Sequence, residues 1–88
     1  MELKETVDLM LSPDYKERFK AEYYQVKIRH DKLMTLIKKW DNNELDFVPT
    51  CSKALLLIQA QYMEMYMEAL EIRAEKEGVE LWKELSTE

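Results

Sequence analysis

The sequence predicts an all-α fold, and three observations carry that expectation. One glycine and two prolines in 88 residues leave few places for turns. Leucine, methionine, alanine, glutamate, lysine and glutamine, which lose little rotamer freedom in a helix, are abundant. Apolar residues recur at steps of three and four through two long stretches separated by one polar break. The expected architecture is a helical hairpin of two long helices with short N- and C-terminal helices, a single domain over residues 1–88, assembled as a homo-oligomer.

The first element is a short amphipathic stretch over residues 3–11, with Leu3, Val7 and Met10 or Leu11 on one side. Ser12-Pro13 ends it. Ser12 can cap the next helix, and Pro13 suits its first position, where the missing N–H would have been unpaired anyway. The first long helix is expected over residues 13–40. Along it Phe19, Tyr23, Val26, His30, Leu33, Ile37 and Trp40 form a heptad seam that asks for a partner helix.

Asp41-Asn42-Asn43 breaks that helix, and in the loop DNNELDFVPT the side chains of Leu45, Phe47 and Val48 are expected to fold back as a plug over the helix ends. Thr50, with Ser52 as second choice, caps a second long helix running to about Glu77. Gly78 sits where its C-terminal cap belongs. Val79, Leu81, Trp82 and Leu85 then suggest a short amphipathic helix or a packing strap.

The second helix carries two apolar rows. One is Leu55, Ile58, Tyr62, Met65, Ala69 and Ile72; the other is Leu56, Met63, Tyr66 and Leu70, interrupted by Gln59 and ended by Arg73. A single hairpin partner covers one row, so the other predicts a subunit interface. The short chain points the same way, since it stands near the lower limit at which one core offsets its ordering entropy.

Charge is unevenly spread. Residues 13–40 hold eight Lys or Arg against four Asp or Glu, while the rest of the chain holds five against fourteen. An acidic protein with one basic helix offers a place for a small anionic ligand and a poor surface for long nucleic acid. No apolar run approaches the roughly 20 residues needed to cross a bilayer, and the N-terminus lacks the basic start and apolar core of a signal peptide. A soluble intracellular protein without a membrane partner is expected, and the single Cys51 fits a reducing compartment.

On the basic helix, Tyr15, Glu22 and Arg29 are spaced by seven at the edge of the seam, with Arg18, Lys20, Lys27 and Lys32 nearby. A ring can stack on a base, a guanidinium can hold a phosphate through two parallel hydrogen bonds, and a carboxylate can accept from a base edge or sugar hydroxyl. The same spacing also fits a solvated face with ion pairs from Glu22 to Arg18 or Arg29.

The other candidates read as structural. His30 is expected as a buried, hydrogen-bonded seam residue, because metal ligation or catalysis would need partners the sequence does not supply. Cys51 falls at the first turn of the second helix with no second cysteine or base near it in sequence. Glu64, Glu68, Glu71 and Glu75 form a carboxylate row read as a solvated face, lacking the histidines a di-metal site usually adds. No metal site, cofactor or catalytic set is indicated, so binding rather than turnover is expected.

The segments DYKERFKAEYYQVKIRHDKLMTLIKKW and FVPTCSKALLLIQAQYMEMYMEALEIRAEKEGVEL carry a loose motif. It consists of Tyr15-x-x-Arg18, Glu22, basic residues before Leu33, a loop, and a second helix with Tyr66, Leu70 and Arg73. Over about residues 12–81 the chain resembles a family of small all-helical bacteriophage proteins related to a crAss-like phage protein. Some members are anti-CBASS proteins that bind and sequester cyclic oligonucleotide alarm signals without cleaving them, as homo-oligomers with pockets between subunits. Related sponges against Thoeris bind cyclic ADP-ribose derivatives. The resemblance implies a nucleotide sponge in the cytoplasm of an infected host, with Tyr15 and either Arg29 or Lys32 as aromatic and cationic contacts and Arg73 in a second contact region. The longer loop, the Pro49-Thr50-Cys51 turn and the tail after Gly78 depart from shorter members, and ligand choice stays open between the two signal classes.

Overall fold

The computed structural model describes residues 1–81 and is all-helical over them. A 3-10 turn, Leu3–Thr6, runs into the short helix α1, Val7–Met10; α2 spans Tyr15–Asp41 and α3 spans Lys53–Glu77. The 27 residues of α2 make a rod of about 40 Å, which accounts for the 43 Å long axis of the molecule. Both α1 and α3 pack on it. Among the described residues no helix is long and apolar enough to cross a membrane.

The start differs in register from the sequence expectation. Leu3 and Leu9 are half-buried and Thr6 is buried, whereas Val7, Met10 and Leu11 are exposed. The 3-10 turn supplies the reason: at three residues per turn, positions 3, 6 and 9 share a side. Thr6 is satisfied in its burial, donating to the Leu3 carbonyl at 2.7 Å and accepting from Gln25 Nε2 at 2.9 Å. That second bond ties the N-terminus to α2.

Asp14, not Ser12, caps α2, and Pro13 stands outside the helix. The Asp14 carboxylate accepts from the Lys16 N–H at 2.9 Å. Ser12 works one step earlier: its hydroxyl accepts from the Asp14 N–H at 3.0 Å and donates to Glu17 at 2.6 Å. At the far end Asn43 takes φ 58°, a left-handed conformation asparagine tolerates better than most residues. The N–H groups of Glu44 and Asn43 then donate to the carbonyls of Lys39 and Trp40 at 2.8 and 3.1 Å, closing the helix with a Schellman motif. Ser52, the second choice, caps α3 by accepting from the Leu55 N–H at 3.2 Å, so Thr50 is outside the cap and Cys51 precedes the first turn.

The α2 seam forms as expected, with Phe19, Tyr23 and Ile37 buried and Val26, His30, Leu33 and Trp40 half-buried. From α3 the inward side is Ala60, Met67, Leu70 and Ala74, flanked by half-buried Leu56 and Met63. Small residues at Ala60 and Ala74 let the helices approach closely. The row Leu55, Ile58, Tyr62, Met65, Ala69 and Ile72 stays outside, with Tyr62 68% and Met65 61% exposed. Tyr66, expected with the inner row, is also exposed.

Gly78 ends α3 at φ 72°, and the Val79 N–H donates to the Ala74 carbonyl at 2.9 Å. The chain then turns back as a strap, not a helix, over residues 79–81. Val79 and Leu81 are buried with Phe19, Tyr23, Tyr24, Ile28, Met67, Leu70 and Ala74, and the Tyr24 hydroxyl donates to the Leu81 carbonyl at 2.9 Å. Trp82 and Leu85, and with them the expected C-terminal helix beyond Leu81, lie outside the described residues. The expected loop plug is absent: Phe47 is 54% and Val48 92% exposed, and only Leu45 is half-buried.

Because Gly78 occupies the left-handed region, Gly78→Ala is expected to cost about 1–2 kcal/mol. The check is urea unfolding, in which the midpoint should fall at constant slope. An unchanged midpoint would show that the glycine turn does not hold the strap.

Candidate functional site

The expected site residues divide into two groups along α2. At the end near the termini, α3 runs past the first turns of α2 and brings Arg73 over the ring of Phe19, with 4.8 Å from the guanidinium carbon to the ring centroid. Such stacking holds the plane of the guanidinium without using its hydrogen-bond donors. Those donors meet Glu77 one turn on: Nε donates to Oε2 at 2.8 Å and Nη2 to Oε1 at 3.3 Å. The Tyr15 side chain lies close enough to the Glu77 carboxylate to help hold it ionised.

Glu22 lies near enough to act on the Arg73 charge, and its carboxylate accepts from the Tyr66 hydroxyl. Tyr15, Phe19, Glu22, Tyr66, Arg73 and Glu77 therefore form one cluster on an exposed edge of the hairpin. The Glu77 bond pushes the Arg73 pKa further up, and the Arg73 bond holds Glu77 below the ordinary carboxylate range, with the nearby Tyr15 side chain adding to it. This end of the site is charged, paired and partly solvated, with the Arg73 and Glu77 side chains 53% and 30% exposed.

The remaining expected residues stand apart. Arg18 is turned to the helix start, where Nη1 donates to the Ser12 carbonyl at 2.7 Å. Arg29 and Lys32 are exposed further along α2, with no ion pair to another described residue. Tyr15 and Arg29 are 14 residues apart, about 21 Å along the axis. Within one chain they cannot close on the same small molecule. Lys32 instead borders a shallow groove of about 330 Å³ with Thr35, Lys39, Glu44, Asp46 and Phe47.

A groove of about 650 Å³ between the end of α3 and the strap is lined by Ile72, Ala74, Val79 and Leu81 together with Glu71, Glu75 and Glu80. Its carboxylates disfavour an anionic guest. On the opposite edge of the hairpin His30 is nearly buried, with Nε2 2.9 Å from Glu64 and Nδ1 3.3 Å from Asp31, as expected of a hydrogen-bonded seam residue. Glu71 is also engaged, accepting from the Tyr23 hydroxyl at 2.5 Å. Burial first, then that bond, pushes the Tyr23 hydroxyl far above its usual range, so it remains a donor.

The family model described as Sequestin matches residues 13–76. The chain belongs to the Sequestin family. No curated protein and no solved structure matches it. The Sequestin match covers α2 and all but the last residue of α3, and it includes Tyr15, Arg18, Glu22, Arg29, Lys32 and Arg73. Glu77, the residue that occupies Arg73, falls just beyond it.

Sequence reasoning did not mark Phe19 or Glu77 as site residues. Phe19 was claimed by the seam, and the stacking face it offers Arg73 depends on helix register. The signal for Glu77 was present as an i,i+4 acid partner of Arg73.

Since the folded pKa of Glu77 is lowered, its contact stabilises the protein above the ordinary value of 4.5 and is lost as pH falls through the depressed value. The stability difference between the native chain and Glu77→Gln, from urea unfolding, is expected to be largest above pH 4.5 and to close on acidification. A pH-independent difference would mean the Arg73 contact is not formed in solution.

Proposed function

We propose that this Sequestin-family chain is a phage anti-defence protein that binds a cyclic nucleotide immune signal, of the CBASS cyclic oligonucleotide or Thoeris cyclic ADP-ribose type, and holds it without cleaving it. The family name itself speaks of sequestration, and the relation to crAss-like phage proteins is the finer form of that membership. The observation that carries the reading is the Arg73 guanidinium, stacked on Phe19 beside the exposed Tyr15. These groups can take a phosphodiester and a base at one place. Glu22 and Tyr66 add an acceptor and a hydroxyl for a base edge or sugar. Arg29 and Lys32 supply further cations, and no cofactor, metal or turnover is part of the reading.

The ligand site is completed in a homo-oligomer. The exposed row on α3 gives a second copy an apolar surface of the kind that monomers seldom leave uncovered. Tyr15, Glu22 and Arg29 run along one edge of α2, and Arg73, Tyr66 and Gln59 run beside them in the reverse order on α3. A twofold axis near Glu22 and Tyr66 would lay Arg29 of one copy near Tyr15 and Arg73 of the other, overcoming the separation within a chain. A sponge acts by mass action in the host cytoplasm. A nanomolar dissociation constant, about −12 kcal/mol, holds a micromolar signal below its receptor's threshold when protein is in excess.

The second reading is a helical interaction module or inhibitor that docks on a host protein, and the same exposed α3 row favours it.

Purified protein mixed with cyclic di- and trinucleotides and cyclic ADP-ribose isomers is expected to retain one of them and release it intact on denaturation, read by mass spectrometry. Retention of none sinks the sponge, and one stoichiometric host protein from a pull-down favours the second reading. Tyr15→Ala and Arg29→Ala are each expected to weaken retention by about tenfold, from lost stacking and phosphate contact, while the assembly persists. Met65→Lys is expected to dissociate it to monomers by light scattering; a native chain already monomeric at working concentration rules out the shared pocket.

A further inference from the structure

The cation at the centre of the candidate site already has an anion on it. Glu77 meets Arg73 through two hydrogen bonds, with its two oxygens on Nε and Nη2, while Phe19 fixes the guanidinium plane from the ring side. A phosphodiester presents two non-bridging oxygens to the same fork. We propose that Glu77 is a specificity-determining residue: its carboxylate stands in for a ligand phosphate on Arg73, and binding proceeds by exchange of one anion for the other. The proposal rests on the nucleotide-binding reading.

Three features make the exchange physically reasonable. Glu77 is the last residue of α3 and is followed by Gly78 in the left-handed turn, so its side chain can swing away without disturbing the seam. A carboxylate at a helix C-terminus faces the negative end of the helix dipole, which weakens its hold there. Its side chain is 30% exposed, so a leaving carboxylate finds water at once.

The consequence is selectivity. A neutral nucleoside could stack on the rings but could not displace Glu77, and it would leave Arg73 internally paired. An anion with two oxygens in one plane restores what the exchange removes. Arg29, with no such partner among the described residues, imposes no exchange cost.

The test is equilibrium dialysis of the full chain against the same panel of cyclic dinucleotides, cyclic trinucleotides and cyclic ADP-ribose isomers, with adenosine as the uncharged control. The native chain, Glu77→Gln, Arg73→Ala and the double variant are compared. Removing a partly solvated competing ion pair is expected to tighten binding of the retained nucleotide by about 2- to 5-fold in Glu77→Gln. That gain should vanish in the Arg73→Ala background, and adenosine should bind the native chain and Glu77→Gln alike. If the native chain retains a nucleotide and Glu77→Gln binds it no tighter, the exchange is wrong while the sponge reading stands. A gain that survives Arg73→Ala also overturns it, because Glu77 would then act by general repulsion. If neither chain retains any panel member, the sponge reading falls and the exchange with it.

Discussion

Two adjacent tyrosines at full burial hold the terminal half of this molecule in place. Consecutive helix side chains diverge by about 100°, so Tyr23 and Tyr24 serve different neighbours from one turn of α2. Tyr23 reaches α3, where its hydroxyl finds Glu71, and Tyr24 reaches the strap, where its hydroxyl finds the Leu81 carbonyl. Their rings meet edge-on, with centroids 6.0 Å apart, an arrangement favoured by the ring quadrupoles. With both directions occupied, α2 cannot rotate or slide against its neighbours without orphaning a buried hydroxyl. The placement of Phe19 under Arg73 one turn away follows from that fixed register.

The other half of the hairpin is held more lightly. Near the loop, Ile37 is the buried residue of the seam, Trp40 lies under the Lys53 ammonium at 5.9 Å, and Asp41 pairs with Lys53. Solvated contacts of this kind contribute little each. The site therefore sits where packing is firm, and its separate cations, Arg29 and Lys32, sit where α2 is less enclosed. On α3, Ala60, Met67, Leu70 and Ala74 face the partner helix, and Leu55, Ile58, Tyr62, Met65 and Ile72 face outward. Close approach of the backbones is gained inside, and a surface in want of a cover is left outside.

What was legible in the sequence follows a pattern. The spans of α2 and α3, the break at Asn42-Asn43 and the Gly78 turn were all readable, because each depends on residues within a few positions of one another. The caps were misplaced by two residues at each helix start, since Ser12 and Asp14, or Thr50 and Ser52, are all able to accept from an N–H and type alone does not rank them. The N-terminal stripe was misread because a helical period was applied to a 3-10 turn. Phe47 and Val48 were expected inside on hydrophobicity, and a loop closed at Asn43 leaves both exposed, Phe47 beside the last turns of α2. Among the site residues, Tyr15, Glu22 and Arg73 could be chosen by chemistry and Glu77 by its i,i+4 spacing from Arg73, whereas their meeting with Phe19 and Tyr66 across the hairpin could not.

By itself the sequence determined that the chain forms two long helices, where each begins and ends to within a turn, and that positive charge gathers on the first. Periodicity, capping chemistry and glycine's backbone freedom are local properties, written in neighbouring residues. Only the tertiary structure decided which α3 row turns inward and that Arg73 lies over Phe19 while Arg29 has no ion pair among the described residues. Those outcomes depend on the register between α2 and α3, which is set by how Tyr23, Leu70 and Ala74 fill common space across the whole loop.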